Sequence, residues 1–334
     1  MPRHKRIKIA GAIYHVITRG IERRNIFLDD RDRQEFVTRL EICLKETGSK
    51  CYAWALMPNH FHLLIRSGAK PLSDLMRRLL TGYAVYFNRR RKRSGYLYQN
   101  RYKSVLCQED AYLLELVRYI HLNPLRAELV NDIAGLNKHP WSGHMTLAGK
   151  RCAGWQSVDE IWQRFSTTGK EAAKKYIEFI SDGIAMGRRN DLTGGGLRRS
   201  AGGWQGVRAL RASKEYWRGD ERMLGDSAFV NEVIKAAEEA IAHRERLKLA
   251  GWTLGKIVNK VCDNLSIEKA ELLRKGRKNN VSNARMLIAY LGNKELGISG
   301  AELARALGIT KQAISKLIPG GEQLANRMNL KLTN

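Results

Sequence analysis

The spacing of apolar residues changes several times within the first third of the chain, and each change marks an element. Residues 12–19 (Ala-Ile-Tyr-His-Val-Ile-Thr-Arg) are rich in β-branched and aromatic types and end at Gly20, which predicts a strand. Residues 30–46 place Phe36, Val37, Leu40, Ile42, Cys43 and Leu44 on a broad helical face, with Gly48 as the stop. Residues 51–57 and 60–66 then read as two strands joined at Pro58-Asn59, a hairpin. Pro71 opens a second helix running to about Arg91, residues 96–107 read as a fourth strand, and Glu109-Asp110 opens a third helix that stops at Asn123-Pro124. The order β-α-β-β-α-β predicts an α+β, ferredoxin-like domain over residues 1–150, with an antiparallel sheet, helices on one face and the other face free.

The pattern changes after residue 150. Residues 151–187 read as a helical extension, and residues 188–206, crowded with Gly and Arg, read as a linker. Residues 207–334 read as a helical C-terminal region. Within it Ser299-Gly300-Ala301-Glu302 is a capping box, and Thr310 caps a following helix with Ala313, Ile314 and Leu317 inward. This is a helix-turn-helix pattern near 281–318, with Lys311, Gln312, Ser315 and Lys316 outward as candidate DNA readers.

Charge narrows the partners. Among 334 residues, 59 Lys and Arg face 33 Asp and Glu, a formal net charge of +26. A polyanion is the expected partner, with nucleic acid first and a membrane surface second. No long uncharged apolar run is present, so no membrane span is expected. Five scattered cysteines without a CxxC pair read as reduced thiols in a cytoplasm.

The chemistry is concentrated in two short segments. In Met57-Pro58-Asn59-His60-Phe61-His62-Leu63-Leu64-Ile65 the histidines stand at i and i+2 of a strand, so they share one face while Phe61, Leu63 and Ile65 take the other. Two imidazoles on a rigid face supply half of a metal site; paired surface histidines are the plainer alternative. In Arg118-Tyr119-Ile120-His121-Leu122-Asn123-Pro124, Tyr119 and Asn123 are at i and i+4, on one helical face. Laid across the open sheet face, that helix would bring a phenol and a carboxamide over His60 and His62. Phosphodiester cleavage by a tyrosine uses such a set. A divalent metal on His60, His62 and Asn123 would polarise the phosphate, and Tyr119 would attack it. His121 points elsewhere and reads as structural.

The His-hydrophobic-His triplet and Tyr119-Ile120-x-x-Asn123-Pro124 together resemble the single-tyrosine HUH transposases, in their REP-associated tyrosine transposase branch. Four further segments agree: Tyr14-His15-Val16-Ile17-Thr18-Arg19-Gly20, Asn25-Ile26-Phe27, Tyr98-Gln99-Asn100-Arg101-Tyr102-Lys103-Ser104 and His139-Pro140-Trp141-Ser142. The resemblance implies a single-strand DNA endonuclease and transesterase acting on hairpin or repeat DNA, with a 5′-phosphotyrosine intermediate and a free 3′-hydroxyl. It implies Tyr119 as nucleophile and Mg²⁺ or Mn²⁺ held by His60, His62 and Asn123, where the family often has Gln. It also implies that a homodimer is open to the chain. Residues 281–318 are similar to the DNA-binding domain of the bacterial replication initiator DnaA.

Phosphate contacts are expected from Arg3, Lys5 and Arg6, from Arg19, Arg23 and Arg24, from the run Arg89-Arg90-Arg91-Lys92-Arg93, and from Arg101 and Lys103. Tyr96, Tyr98 and Tyr102, interleaved with these cations, suit stacking on unpaired bases. The alternative function is a non-catalytic, sequence-specific DNA-binding regulator derived from a transposase.

Overall fold

The computed structural model describes residues 9–187, 189, 192, 223–273 and 279–332. Arg3, Lys5 and Arg6, and nearly all of the expected linker 188–206, lie outside the described residues. The chain divides into two compact units, residues 1–232 and 233–334.

The first unit is built on one mixed sheet. Its strands are β1 (Ile13–Arg19), β2 (Lys50–Met57), β3 (His60–Arg66), β4 (Lys103–Cys107) and β5 (Met223–Leu224), in spatial order β2-β3-β1-β4-β5. The first four pair antiparallel, which is the expected ferredoxin-like arrangement; β5 adds to the β4 edge in parallel. The fourth strand is shorter than its sequence suggested. Residues 96–102 carry only an isolated bridge, Gly20 to Tyr98, because Gly95 takes a left-handed φ of 87° and the segment does not settle into the ladder until Lys103.

Helices cover both faces. On one, α1 (Asp30–Thr47) and α2 (Leu72–Arg90) lie over Phe61, with Phe36 packed tilted against it at 4.7 Å between ring centroids. The Asp29 carboxylate caps α1 by accepting from the Asp32 amide at 3.0 Å. Gly48 ends that helix at φ 64°, a left-handed conformation that glycine adopts without penalty. On the other face lies α3 (Glu109–His121), which packs on β2 and β3. Leu113, Leu116, Val117 and Ile120 follow i, i+3, i+4 and i+7 and are buried. Each such burial stabilises by roughly 1.5–3 kcal/mol. The face of β2 beneath α3 carries Ala53 and Ala55, both fully buried, whose small side chains let the helix approach the sheet closely.

Residues beyond 150 add to this same core. A helix α5 (Gly169–Asp182) contributes Tyr176 and Ile180, and Ile161 precedes it. Between α3 and α5, α4 (Asn123–Arg126) follows the α3 C-cap Leu122 almost without interruption. Asn123 is thus the first residue of a new turn instead of the last of α3. Pro124 has no amide to bond back into the preceding turn, which is why the helix breaks there.

The second unit is helical. Its elements are α6 (Ser227–Leu249, which begins just before the unit does), α7 (Leu254–Leu265), α8 (Asn279–Tyr290), α9 (Gly300–Ala306) and α10 (Lys311–Arg327). The expected helix-turn-helix is present as α9, a short turn and α10. The Ser299 hydroxyl accepts from the Glu302 amide and the Thr310 hydroxyl from the Ala313 amide. Among the described residues no helix is long and apolar enough to cross a membrane.

Candidate active site

Strand register assembles the site. His60 stands opposite Arg19 and His62 opposite Ile17 across the β1–β3 pair, and Ala55 stands opposite His62 on β2. Directly paired residues share a face, so this row lies on the side covered by α3. His62 is the pivot. Its ring lies 5.2 Å from that of His60 in an edge-on arrangement and 5.2 Å from that of His15 in a stacked one. Tyr119, from α3, sets its ring edge-on to both His62 and His15, with 5.8 Å between centroids in each case. Tyr119 therefore lies against His62, one of the expected histidine pair, and against His15.

A hydrogen bond fixes the tautomer of His60, and another occupies one ring nitrogen of His62. His60 Nδ1 lies 2.7 Å from the Asn59 amide oxygen, an acceptor, so Nδ1 carries the proton and Nε2 the lone pair. His62 Nδ1 lies 2.9 Å from His15 Nε2. Neither His60 Nε2 nor His62 Nε2 has a hydrogen-bond partner among the described residues. Burial, with the Arg19 charge adding to it, lowers the His60 pKa to about 4. Burial first, then His15, His60 and Arg19, hold His62 well below its ordinary value. Both rings are thus neutral at physiological pH, the state a metal ligand needs.

Asn123 has its amide nitrogen buried without a hydrogen-bond partner among the described residues, and no hydrogen bond ties it to either histidine. Among those residues no group of three or more His, Cys, Asp and Glu is placed to hold a metal ion. Two neutral imidazoles and an amide oxygen are ligand types that a divalent ion accepts, and an amide lies outside that donor set.

Two neighbours were not singled out from sequence. His15 is fully buried and orients His62. Its signal was period-2 alternation, since His15, Ile17 and Arg19 share a face that pairs with the histidine face of β3. Arg126 places its guanidinium carbon 5.6 Å from the Tyr119 ring centroid, and the helix break before it hid this proximity.

The expected DNA contacts divide. Arg19, Arg23, Arg24, Arg89, Lys92, Arg101 and Lys103 are exposed, although Arg24 pairs with Glu22 at 2.7 Å. Arg90 and Arg91 are engaged within the fold: Arg90 reaches Asp29 at 2.7 and 2.9 Å, and Arg91 reaches Asp32 at 2.8 Å. Arg93 lies over the Phe87 ring. Of the three tyrosines, Tyr96 is 84% exposed, Tyr98 is half-buried and Tyr102 is in the core, so Tyr96 alone offers an open ring face. In the second unit Lys311, Gln312, Ser315 and Lys316 are all exposed.

Residues 8–123 match the family described as "Transposase IS200 like". A solved structure described as a REP-associated tyrosine transposase bound to a REP hairpin is 18% identical, covering 48% of this chain and 90% of that one, with a TM-score of 0.39. No curated protein matches the chain. The family match ends at Asn123, the first residue of α4.

Proposed function

We propose that this transposase-family chain is a single-strand DNA endonuclease and strand transferase with Tyr119 as its nucleophile. The carrying observation is the packing of the Tyr119 ring against His62, beside two imidazoles whose Nε2 atoms are unspent. The Tyr119 oxygen forms a bond to phosphorus as the bond to the 3′-oxygen breaks. The phenolic proton leaves to water, and the 3′-oxygen takes one from water, giving a 5′-phosphotyrosine and a 3′-hydroxyl. Nε2 of His60 and His62, with the Asn123 amide oxygen, would hold Mg²⁺ or Mn²⁺, which supplies polarisation and orientation of the scissile phosphate. Asn59 and His15 fix the two rings from behind.

The substrate class is single-stranded or hairpin DNA. Exposed Arg19, Arg23, Arg89, Lys92, Arg101 and Lys103 contact its phosphates, and Tyr96 stacks on an unpaired base. The exposed polar face of α10 favours a second reading, in which the second unit binds DNA by sequence and the protein acts as a regulator.

A denaturing gel of the protein with labelled single-stranded hairpin oligonucleotides from the DNA flanking its gene, in Mg²⁺ or Mn²⁺, separates these. A covalent adduct lost in Tyr119→Phe supports the endonuclease. DNA binding without any adduct supports the regulator, and cleavage unaffected by Tyr119→Phe assigns the attack to water.

A further inference from the structure

Most arginines around the site are matched by acids. Arg118 pairs with Glu115, as does Arg189 at 2.9 Å, and Arg90 and Arg91 pair with Asp29 and Asp32. Arg126 differs. It has no carboxylate within ion-pair reach among the described residues. Its Nη1 is buried with no hydrogen-bond partner there, and its Nη2 meets only the Gly183 carbonyl, at the long distance of 3.5 Å. Burial, with Arg189 and Arg118 adding to it, holds its pKa below the ordinary arginine value, and Tyr119 opposes that shift. A guanidinium left half-buried and unmatched is unfavourable, and an anion would complete it.

We propose that Arg126 is the phosphate clamp of this site: its guanidinium, held against the Tyr119 ring, takes the non-bridging oxygens of the scissile phosphodiester. The inference rests on the reading of Tyr119 as nucleophile. A guanidinium donates charge-assisted hydrogen bonds to phosphate oxygens, and a partly buried location strengthens the contact. The same contact fixes the phosphorus beside the phenol. As the Tyr119 oxygen bonds to phosphorus and the 3′-oxygen leaves, negative charge grows on the oxygens that Arg126 holds. Stacking against the Tyr119 ring also limits the directions that the phenol can take. Arg126 is three residues past the family match, so the family comparison does not speak to it.

The test compares a normal phosphodiester with a methylphosphonate at the scissile position of the oligonucleotide that the wild type cleaves. A methylphosphonate has no charge for a clamp to take. Single-turnover adduct formation at saturating DNA should fall about 10²- to 10³-fold in Arg126→Ala on the phosphodiester, the scale of losing one transition-state donor. Arg126→Lys should recover part of that rate, and the Arg126→Ala deficit should shrink below about tenfold on the methylphosphonate. An equal deficit on both substrates, or none on either, overturns the clamp.

Binding provides a second readout that does not need the adduct. In a Tyr119→Phe background, Arg126 should make the phosphodiester bind tighter than the methylphosphonate, and Arg126→Ala should remove that preference. No preference with Arg126 present refutes the proposal on its own. Failure of the wild type to form an adduct while the preference persists refutes the nucleophile and spares the clamp.

Discussion

The first unit contains two groups of histidines, buried except for the partly exposed His60, and their hydrogen bonding differs. His15, His60 and His62 sit on the sheet face beneath Tyr119. His121, the last residue of α3, and His144 both hydrogen-bond the Tyr176 hydroxyl between them. Burial lowers the pKa of every member for which a shift is resolved, so neutrality does not separate the groups. Hydrogen-bond direction does. The Asn137 amide oxygen, 2.9 Å away, takes the proton of His144 Nε2, so His144 Nδ1 accepts from the Tyr176 hydroxyl at 2.9 Å. That hydroxyl oxygen in turn accepts from His121 Nδ1 at 2.7 Å. The relay runs one way and uses its groups up. Only His121 Nε2 is left over, and it is walled in: a Cβ at Gly143 would stand 2.8 Å from it. On the sheet face the Nε2 atoms of His60 and His62, on neighbouring rings of one strand, have no hydrogen-bond partner among the described residues. The His121–Tyr176–His144 group holds the helix in place, and the sheet-face group keeps the Nε2 atoms that the proposed metal site requires.

The largest test of that contrast is metal binding. His60→Ala or His62→Ala should weaken Mn²⁺ binding, measured by calorimetry, about a hundredfold or more, since even residues one contact behind a ligand commonly give 10- to 100-fold effects. DNA affinity at fixed salt should stay within about threefold, because phosphate contacts carry it. His144→Ala should leave Mn²⁺ affinity unchanged in whatever fraction folds. A loss in His144→Ala matching that of His60→Ala would erase the distinction.

Next comes Tyr176→Phe. It removes one hydroxyl that satisfies two imidazoles, leaving His121 Nδ1 and His144 Nδ1 buried and unpaired. An unsatisfied buried group costs about 1–3 kcal/mol, so the folded first unit should lose about 3 kcal/mol in urea denaturation. The same substitution should leave Mn²⁺ affinity intact below the new unfolding midpoint.

The two groups were not equally legible in the sequence. The sheet order, both α-helical faces and the meeting of Tyr119 with His62 followed from period and order, because a strand pair with alternating burial has one register that keeps its apolar residues inside. His60 and His62 were visible as an i, i+2 pair. The relay was not visible, since Tyr176 lies 55 residues from His121 and in a segment that read as a separate extension. Packing of α5 onto the same core as α3 is tertiary information that no local pattern holds. The same holds within the basic run 89–93: Asp29 and Asp32, a whole helix and hairpin away, take up Arg90 and Arg91, while Arg89 and Lys92 stay exposed. Charge runs predict partners poorly when the opposite charge comes from elsewhere in the fold.

Acid sharpens the stability side of the contrast. Burial lowers the His144 pKa to about 4 from an ordinary value near ~6.5. A histidine depressed in the folded state binds its proton more readily in the unfolded one. Its contribution is therefore complete above about pH 6.5 and is lost as pH falls toward 4. That window corresponds to about 3 kcal/mol for this one side chain. Urea titrations at steps from pH 7 to pH 4 should show the decline, and His144→Gln should flatten it from a lower starting stability. An equally steep decline in the variant would place the acid sensitivity elsewhere.

The smallest effect is expected at Asn59, which links the two arguments. Its amide oxygen takes the His60 Nδ1 proton, and its amide nitrogen donates to the Arg23 carbonyl at 3.0 Å. It thereby selects the tautomer that leaves Nε2 with a lone pair and fixes the ring's direction. Asn59→Ala should weaken Mn²⁺ binding about tenfold, the lower end of the range for a group behind a ligand. Asn59→Asp keeps the acceptor and adds charge behind the ring, so it should bind Mn²⁺ at least as well as the wild type. If both substitutions weaken binding alike, Asn59 acts by holding the Arg23 loop and not by orienting His60. In that case the availability of His60 Nε2 comes from strand register alone.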